Sequence, residues 1–563
     1  MTAVETPAPD TTTGAPSAAA TTGIRVRDLG VAFDGRSAVQ GVTFDLAPGR
    51  CVALVGESGS GKSVSARSLL GLSGANATVT ASELSLDGED LLAATPAQWR
   101  AIRGGRIGLV HQDALVSLDP LRPVGAEIAE TLRLHTDLAR RDRRAEVVRL
   151  LASVGVPEPE QRAKQRPDEL SGGLRQRALI ASAIAGRPDY IVADEPTTAL
   201  DVTVQAQVLR LLAELRDAGT GLLLVSHDLA VVGELADEIL VLRGGEVVER
   251  GTPDEVLGSP RTDYTRRLLD AVPSSHTRGE RLSDVPPVEI DTALVQPVRD
   301  LGVPLLEASG LTKRYRRGRE TVTVVDAVDV RLERGRTLGV VGESGSGKST
   351  LAGMLLGLVE PDGGTVSFEG EAWVPLPEPA RRARRHRIQS ISQDPLSSFD
   401  PRYRVHEVLG EVLAAIGVRR DARRERAAAL LDQVGLAPEL LDRAPLTLSG
   451  GQRQRVAIAA AIAVGPDVLV CDEPVAALDV SVQAQVLDLL GDLQRRLGLG
   501  IVFISHDLGV VHHLADEVLV MHHGEVVERG DVDAVLTAPQ QPYTRELLGA
   551  VPRLRSTLER NTP

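Results

Sequence analysis

Aromatic residues are scarce. Five Phe, five Tyr and two Trp make up 2% of the 563 residues, so the cores must be built from Val, Leu, Ile and Ala. The only two cysteines, Cys51 and Cys471, lie far apart with no metal-ligand spacing. That excludes a disulfide framework or a cysteine-bound metal and fits a reduced, cytoplasmic compartment. No apolar run approaches the roughly 18 residues of a membrane-spanning helix; the longest candidate, Val456 to Val464, stops at Gly465-Pro466. Residues 1–22 are rich in Thr, Ala and Pro and contain no Lys or Arg. They lack the basic start and apolar centre of a signal peptide and are expected to be a disordered tail. Positive charge is in deficit, with 63 Lys and Arg against 77 Asp and Glu and a net charge of −14. This argues against a protein that coats nucleic acid. Any membrane role must come through partner subunits.

One stretch dominates what is present, and it occurs twice. Gly56-Glu57-Ser58-Gly59-Ser60-Gly61-Lys62-Ser63 follows the apolar run Val52 to Val55, and Gly342-Glu343-Ser344-Gly345-Ser346-Gly347-Lys348-Ser349 follows Leu338 to Val341. Both match the phosphate-binding loop G-x-x-x-x-G-K-[ST], read as buried strand, glycine turn, then helix. Glycines let consecutive N–H groups converge on phosphate oxygens, and the helix start adds its positive dipole end. Lys62 and Lys348 would reach the β- and γ-phosphates, and the Ser63 and Ser349 hydroxyls would ligate Mg²⁺. An ordinary glycine turn before a helix explains one such match far better than two in the same context. The chain is therefore expected to bind nucleoside triphosphate, ATP by preference, at two places.

The loop lysines are 286 residues apart, and other motifs recur in the same order at offsets of 278 to 281 residues: Gln112 and Gln393, Ser171 and Ser449, Asp194 and Asp472, His227 and His506, Tyr264 and Tyr543. This is one domain duplicated, not a short solenoid repeat. The reading divides the chain into a tail at 1–22, a first domain at 23–273, a linker at 274–304, a second domain at 305–552 and a tail at 553–563. The linker carries Pro286, Pro287, Pro297 and Pro304 without helical period. Its extended reach of some 90 Å would let the domains face each other in any orientation. Alternating strand and helix patterns predict tandem α/β domains, each with a mainly parallel sheet. Helices are expected at Glu127 to Leu134 and Ala145 to Val154, and again at Val405 to Ile416 and Ala422 to Val434. The arginine clusters Arg140 to Arg144, Arg423 to Arg426 and Arg381 to Arg387 read as solvated faces.

Asp194-Glu195 and Asp472-Glu473 each end an apolar strand. The first carboxylate would sit near the Mg²⁺, and the second would orient or deprotonate the attacking water. Leu170-Ser171-Gly172-Gly173 and Leu448-Ser449-Gly450-Gly451 open Ala-rich helices. A plain N-cap explains the serine but not the paired glycines, which suggest a second anion site.

Phosphate loop, glutamine, LSGG, Asp-Glu, Ala-Leu-Asp and Ser-His in this order resemble the nucleotide-binding domain of the ABC ATPases, twice over nearly the whole chain. The resemblance implies two tandem ABC-type P-loop ATPase domains, each with an antiparallel β part and a helical subdomain. It further implies a head-to-tail sandwich in which Lys62 shares an ATP with Ser449, and Lys348 with Ser171. It assigns Gln112 and Gln393 to Mg²⁺, water and sensing of a partner subunit. Asp201 and Asp479 would cross the interface, and His227 and His506 would contact the γ-phosphate. Tyr315, and Phe33 in the first copy, are the residues expected to stack on adenine; a four-residue insertion separates the copies just after them. With both carboxylate pairs, both histidines and both LSGG serines present, two hydrolytically competent sites are expected.

The stretches Asp113 to Pro120 and Asp394 to Pro401, and Tyr264 to Pro273 and Tyr543 to Pro552, resemble the oligopeptide/dipeptide/nickel importer ATPases in their fused form. That implies an ATPase peripheral to the cytoplasmic face of the membrane. It would drive two transmembrane permease subunits and depend indirectly on an extracellular solute-binding protein, without nucleic acid. Many relatives hold an iron–sulfur cluster near the C-terminal extension, but no cysteine follows Cys471, so none is expected. The rival reading is a soluble double-ABC ATPase on the ribosome. The acidic balance, the short Pro-rich linker and the importer-like stretches speak against it. An exporter ATPase is a third reading, set aside only by the resemblance.

Overall fold

The computed structural model describes residues 22–111, 117–198, 200–273, 277–287, 303–317, 320–476 and 478–552. The expected tails, Gln112, and residues 288–302 of the linker lie outside them.

Each copy is built on a six-stranded sheet. In the first, the spatial order is Glu246–Gly251, Glu238–Arg243, Cys51–Val55, Gly221–Val225, Tyr190–Asp194, Ile107–Val110. All neighbours are parallel except the edge pair of 246–251 with 238–243. The second copy repeats this with Thr337–Val341 between Gly500–Ile504 and Glu517–His522, and Val468–Asp472 next to Gly500–Ile504. The runs CVALV, GLLLV and YIVAD are buried at every residue, as strands covered on both faces must be. Alternation divides them between two cores. Cys51, Ala53 and Val55 join one, while Val52 and Leu54 join the other, the period of two that a pleated strand imposes.

That second core lies under an antiparallel sheet, with Ile24–Phe33 at its centre between Arg36–Leu46 and Glu83–Leu86. In the second copy, Leu306–Arg317 holds the same place. The opposite core reaches into a helical part made of Val124–His135, Arg140–Ser153 and Gly172–Ile184, matched by Val405–Ala415, Arg423–Asp432 and Gly450–Ile462. The helices fall where the sequence places them. Among the described residues no helix is long and apolar enough to cross a membrane.

Two expectations change. The run Arg381–Arg387 is not simply a solvated face. Arg381, Arg384 and Arg385 surround the buried Trp373 ring at 5.6–5.9 Å, and Arg387 pairs with Glu369 and the buried Asp467. An arginine stack on an indole face combines packing with cation–π attraction.

Residues 277–287 are also not a free tether. Leu282 is buried in the second copy's core. Its N–H, with the N–H and hydroxyl of Ser283, donates to the Asp488 carboxylate at 2.6–3.0 Å. Arg281 donates to Asp492 at 2.8 Å. Both aspartates are buried on the helix Val480–Leu497, so the first part of the linker supplies the partners these charges require.

Candidate active site

The three adjacent parallel strands deliver the chemistry side by side at their carboxyl ends. Cys51–Val55 runs into the glycine loop, Tyr190–Asp194 ends on its carboxylate, and Gly221–Val225 leads to His227. Ligands gather at that end of open parallel sheets because the helix N-termini converge there.

In both loops the helix starts at the lysine, Lys62 or Lys348, with the preceding glycine left-handed at φ 96° or 102°. A Cβ on Gly56 would lie 2.2 Å from the Leu242 carbonyl oxygen, so nothing larger fits against the neighbouring strand. Lys62 Nζ donates to the carbonyls of Gly56 and Glu57 at 2.7 and 2.8 Å, and Lys348 does the same to Gly342 and Glu343. Burial pushes both lysines' pKa down, against the pull of the surrounding carboxylates. The Ser60 and Ser346 hydroxyls are buried and have no partner among the described residues. A spare ammonium donor and an orphaned hydroxyl beside free helix-start N–H groups suit a phosphate chain. Ser63 Oγ donates to Asp194 Oδ1 at 2.7 Å, and Ser349 Oγ to Asp472 Oδ1 at 3.3 Å. This hydroxyl–carboxylate pair, all oxygen, suits Mg²⁺.

The next residue, Glu195 or Glu473, is held at φ 50° or 49°, a conformation that L residues adopt rarely and that turns the carboxylate out of the strand. His227 Nδ1 lies 3.3 Å from Glu195, and His506 Nδ1 lies 3.4 Å from Glu473. Burial disfavours each charge, but the partners outweigh it: both histidines' pKa values go up and both glutamates' go down. Gln393 Nε2 donates to Glu473 at 3.0 Å, which brings three predicted residues of the second copy together.

Ser171 and Ser449 cap their helices by accepting from the N–H of Leu174 and Gln452. A Cβ on the second glycine of each pair would strike Val204 at 2.8 Å or Val482 at 2.1 Å, whereas the first, Gly172 or Gly450, has no atom closer than 3.4 Å. Close packing therefore explains one glycine, and an open approach remains at the other. Asp201 and Asp479 cap the helices Val202–Asp217 and Val480–Leu497. Asp479 of the second copy acts electrostatically on Lys62 of the first, and Asp201 acts on Lys348. Ser481 Oγ donates to Glu57 Oε1 at 2.6 Å, joining residues 424 apart. Between the copies lies a cavity of about 190 Å³ lined by His227, Asp228, His506 and Asp507 among others.

Tyr264 and Tyr543 were legible only as family markers. Their hydroxyls accept the loop N–H of Glu57 and Glu343, each at 3.2 Å. Each ring lies against the end of a neighbouring strand, Tyr264 under Arg243 and Tyr543 stacked on His522. The terminal extension thus braces the phosphate loop in both copies. Tyr315 is exposed beside Lys313, while Phe33 is half-buried against the core under its sheet. The cysteines are free and buried, and burial pushes their thiols up to about 12; they are core residues.

The model of the ABC transporter family matches residues 39–198 and 325–476. That of the oligopeptide/dipeptide transporter C-terminal region matches 248–292 and 527–563. The chain is 44% identical to a peptidoglycan transport ATP-binding protein of Agrobacterium fabrum, over 94% of this chain and 96% of that one. It is 40% identical to an oligopeptide transport ATP-binding protein of Mycobacterium tuberculosis, over 94% and 98%. It is 41% identical to a glutathione import ATP-binding protein of Escherichia coli, over 94% and 89%. Two ATPase domains of one fold, each followed by the same extension, make this chain a double-cassette member of the ABC transporter family of ATP-hydrolysing proteins.

Proposed function

We propose that the chain is the ATP-hydrolysing subunit of a membrane importer for peptides or related small solutes. Its cassettes, at 23–273 and 305–552, would face each other head to tail across two ATP molecules. They would drive two permease subunits from the cytoplasmic face of the membrane, with a solute-binding protein delivering substrate. The observation that carries the arrangement is the hydrogen bond from Ser481 to Glu57 in the opposite phosphate loop. The reciprocal action of Asp479 on Lys62 and of Asp201 on Lys348 supports it. The importer reading is supported by the terminal extension common to peptide transporters and by the oligopeptide and glutathione import relatives.

In this reading Lys62 and Lys348 bind the β- and γ-phosphates, and Ser449 and Ser171 complete the opposite faces. Glu195 and Glu473 orient or deprotonate the attacking water, with His227 and His506 holding them and meeting the γ-phosphate. Mg²⁺ bound by Ser63 and Asp194, and by Ser349 and Asp472, would neutralise charge developing on the phosphates. Gln393, and Gln112 outside the described residues, would link each carboxylate to the permease side. ATP must favour the closed arrangement differentially, since equal affinity for both states shifts nothing.

The test is co-purification. A tagged Glu195→Gln/Glu473→Gln chain, expressed in its native host and extracted with ATP in mild detergent, should bring down two multi-spanning membrane proteins. Ribosomes in the soluble fraction instead would overturn the importer reading.

A further inference from the structure

The helix after the first phosphate loop carries a charge that its counterpart lacks. Arg67 lies one turn beyond Ser63 on Lys62–Ser68. Its Nη2 is 3.2 Å from Asp194 Oδ2, and the Asp194 side chain is fully buried. The other carboxylate oxygen already accepts from Ser63 at 2.7 Å. Both oxygens are therefore engaged, one of them by a cation. Among the described residues Asp194 is the one acceptor of the Arg67 guanidinium, whose buried Nε has no partner.

Gly353 stands at the corresponding place in the second copy, one turn beyond Ser349. A Cβ there would lie 2.7 Å from Val359 Cγ2, so an arginine cannot be accommodated without moving that side chain. Asp472 meets only the Ser349 hydroxyl, at 3.3 Å, with no guanidinium beside it among the described residues. The two carboxylates that face the phosphate loops thus differ by one full positive charge at hydrogen-bond distance.

We propose that Arg67 makes the first phosphate loop the weaker of the two for the divalent cation that accompanies ATP. This rests on the reading that Ser63 with Asp194, and Ser349 with Asp472, hold that cation. The guanidinium competes for Asp194 Oδ2 and repels a second cation at a carboxylate that is itself fully buried, where charges are less screened than in water. The chain then holds one tightly and one loosely metallated nucleotide. Its two ATP sites respond to different concentrations of free Mg²⁺ although their reacting groups are the same. Arg67 acts here as a positioning residue, not a catalytic one.

Mn²⁺ provides the probe. The full chain carrying Glu195→Gln and Glu473→Gln, with two equivalents of ATP, is titrated with Mn²⁺ while the free ion is followed by electron paramagnetic resonance. Two classes of site differing on the order of tenfold are expected. Arg67→Met should raise the weaker class to meet the stronger and leave the stronger unchanged, which also serves as an internal control for folding. Arg67→Lys, which keeps the charge, should keep the split. Equal classes in the unaltered background, or a split that survives Arg67→Met, would overturn the role of Arg67. Asp194→Asn and Asp472→Asn separate the two layers. If neither weakens Mn²⁺ binding, the underlying assignment of the cation site fails, and the proposal fails with it.

Discussion

The two copies keep the same reacting groups and differ in what surrounds them. Each has a lysine clamped by two loop carbonyls, a strained glutamate beside a histidine, and a tyrosine hydroxyl on the loop N–H. Around these, the first copy adds Arg67 on Asp194 and a hydroxyl bond from Thr198 to Glu195 at 3.0 Å, where the second has Gly353 and Ala476. The second adds Gln452, whose side chain completes the capping box on Ser449 at 3.0 Å, where the first has Leu174. Across the copies, Ser481 reaches Glu57, whereas its counterpart Thr203 keeps a buried hydroxyl without a partner among the described residues. Duplication has preserved the chemistry and let its supports diverge, so the sites are expected to be alike in what they do and unequal in how readily they do it.

The largest expected effect tests the likeness. Glu195→Gln and Glu473→Gln should each abolish hydrolysis at its own site, roughly 3–4 kcal/mol of transition-state stabilisation by the scale of one positioned group. Normal turnover in either variant would mean that one copy has lost its function.

Next comes the linker, whose residues 277–283, among the described residues, are hydrogen-bonded to side chains of the second copy. Asp488→Ala would leave two backbone N–H groups and the Ser283 hydroxyl without their acceptor and remove a charge 3.7 Å from Arg281. A loss of about 2–4 kcal/mol is expected, from broken buried charge-assisted bonds. The measurement is proteolysis within 277–287, which should accelerate; cleavage at the unaltered rate would return this segment to a passive tether.

Smaller is the effect of Thr198→Ala, expected to slow the first site by about 1 kcal/mol, the worth of one hydrogen bond. Thr198→Ser should restore it. In a background where only the first site can turn over, an unchanged rate for Thr198→Ala would remove that difference between the copies.

The smallest effect concerns pH. The partner glutamates raise both histidines above the ordinary value near 6.5, and the histidines lower both glutamates. On the histidine side the stabilisation is complete below the unfolded pKa and is lost as pH rises through the raised folded value. On the glutamate side it is present above the unfolded value near 4.5 and lost as pH falls through the lowered one. Melting curves of His227→Asn and His506→Asn should therefore lie furthest below the parent between these limits, around pH 5–6, and approach it as the solution becomes alkaline. A gap that widens with pH would contradict the ion pairs.

Much of the fold was legible because it is local. Fully apolar five-residue runs next to glycine turns specify buried parallel strands, and the spacing of the motifs follows from which strands neighbour the phosphate loop. The site's missing members are contacts between distant residues. Tyr264 meets Glu57 across 207 positions, and Ser481 meets Glu57 across 424; no periodicity reports either. Arg67 had a readable signal, since aligning the two copies sets an arginine against Gly353, but its meaning needed the position of Asp194. The docking of residues 277–287 was not legible because one leucine among polar residues resembles a coil. The sign of a partner lay in the helix Val480–Leu497, where Asp488 and Asp492, four residues apart, share a face that buries its side chains.

The most direct test of the central claim, two competent and unequal sites, is a single-turnover experiment on the two single glutamate variants. Each would be loaded with two radiolabelled ATP molecules and then given Mg²⁺. The account predicts that each variant converts one ATP to ADP and retains the other. It also predicts that Glu473→Gln, which leaves the first site active, needs more Mg²⁺ to do so than Glu195→Gln. Conversion of both nucleotides in either variant, or identical Mg²⁺ dependence in the two, would contradict it.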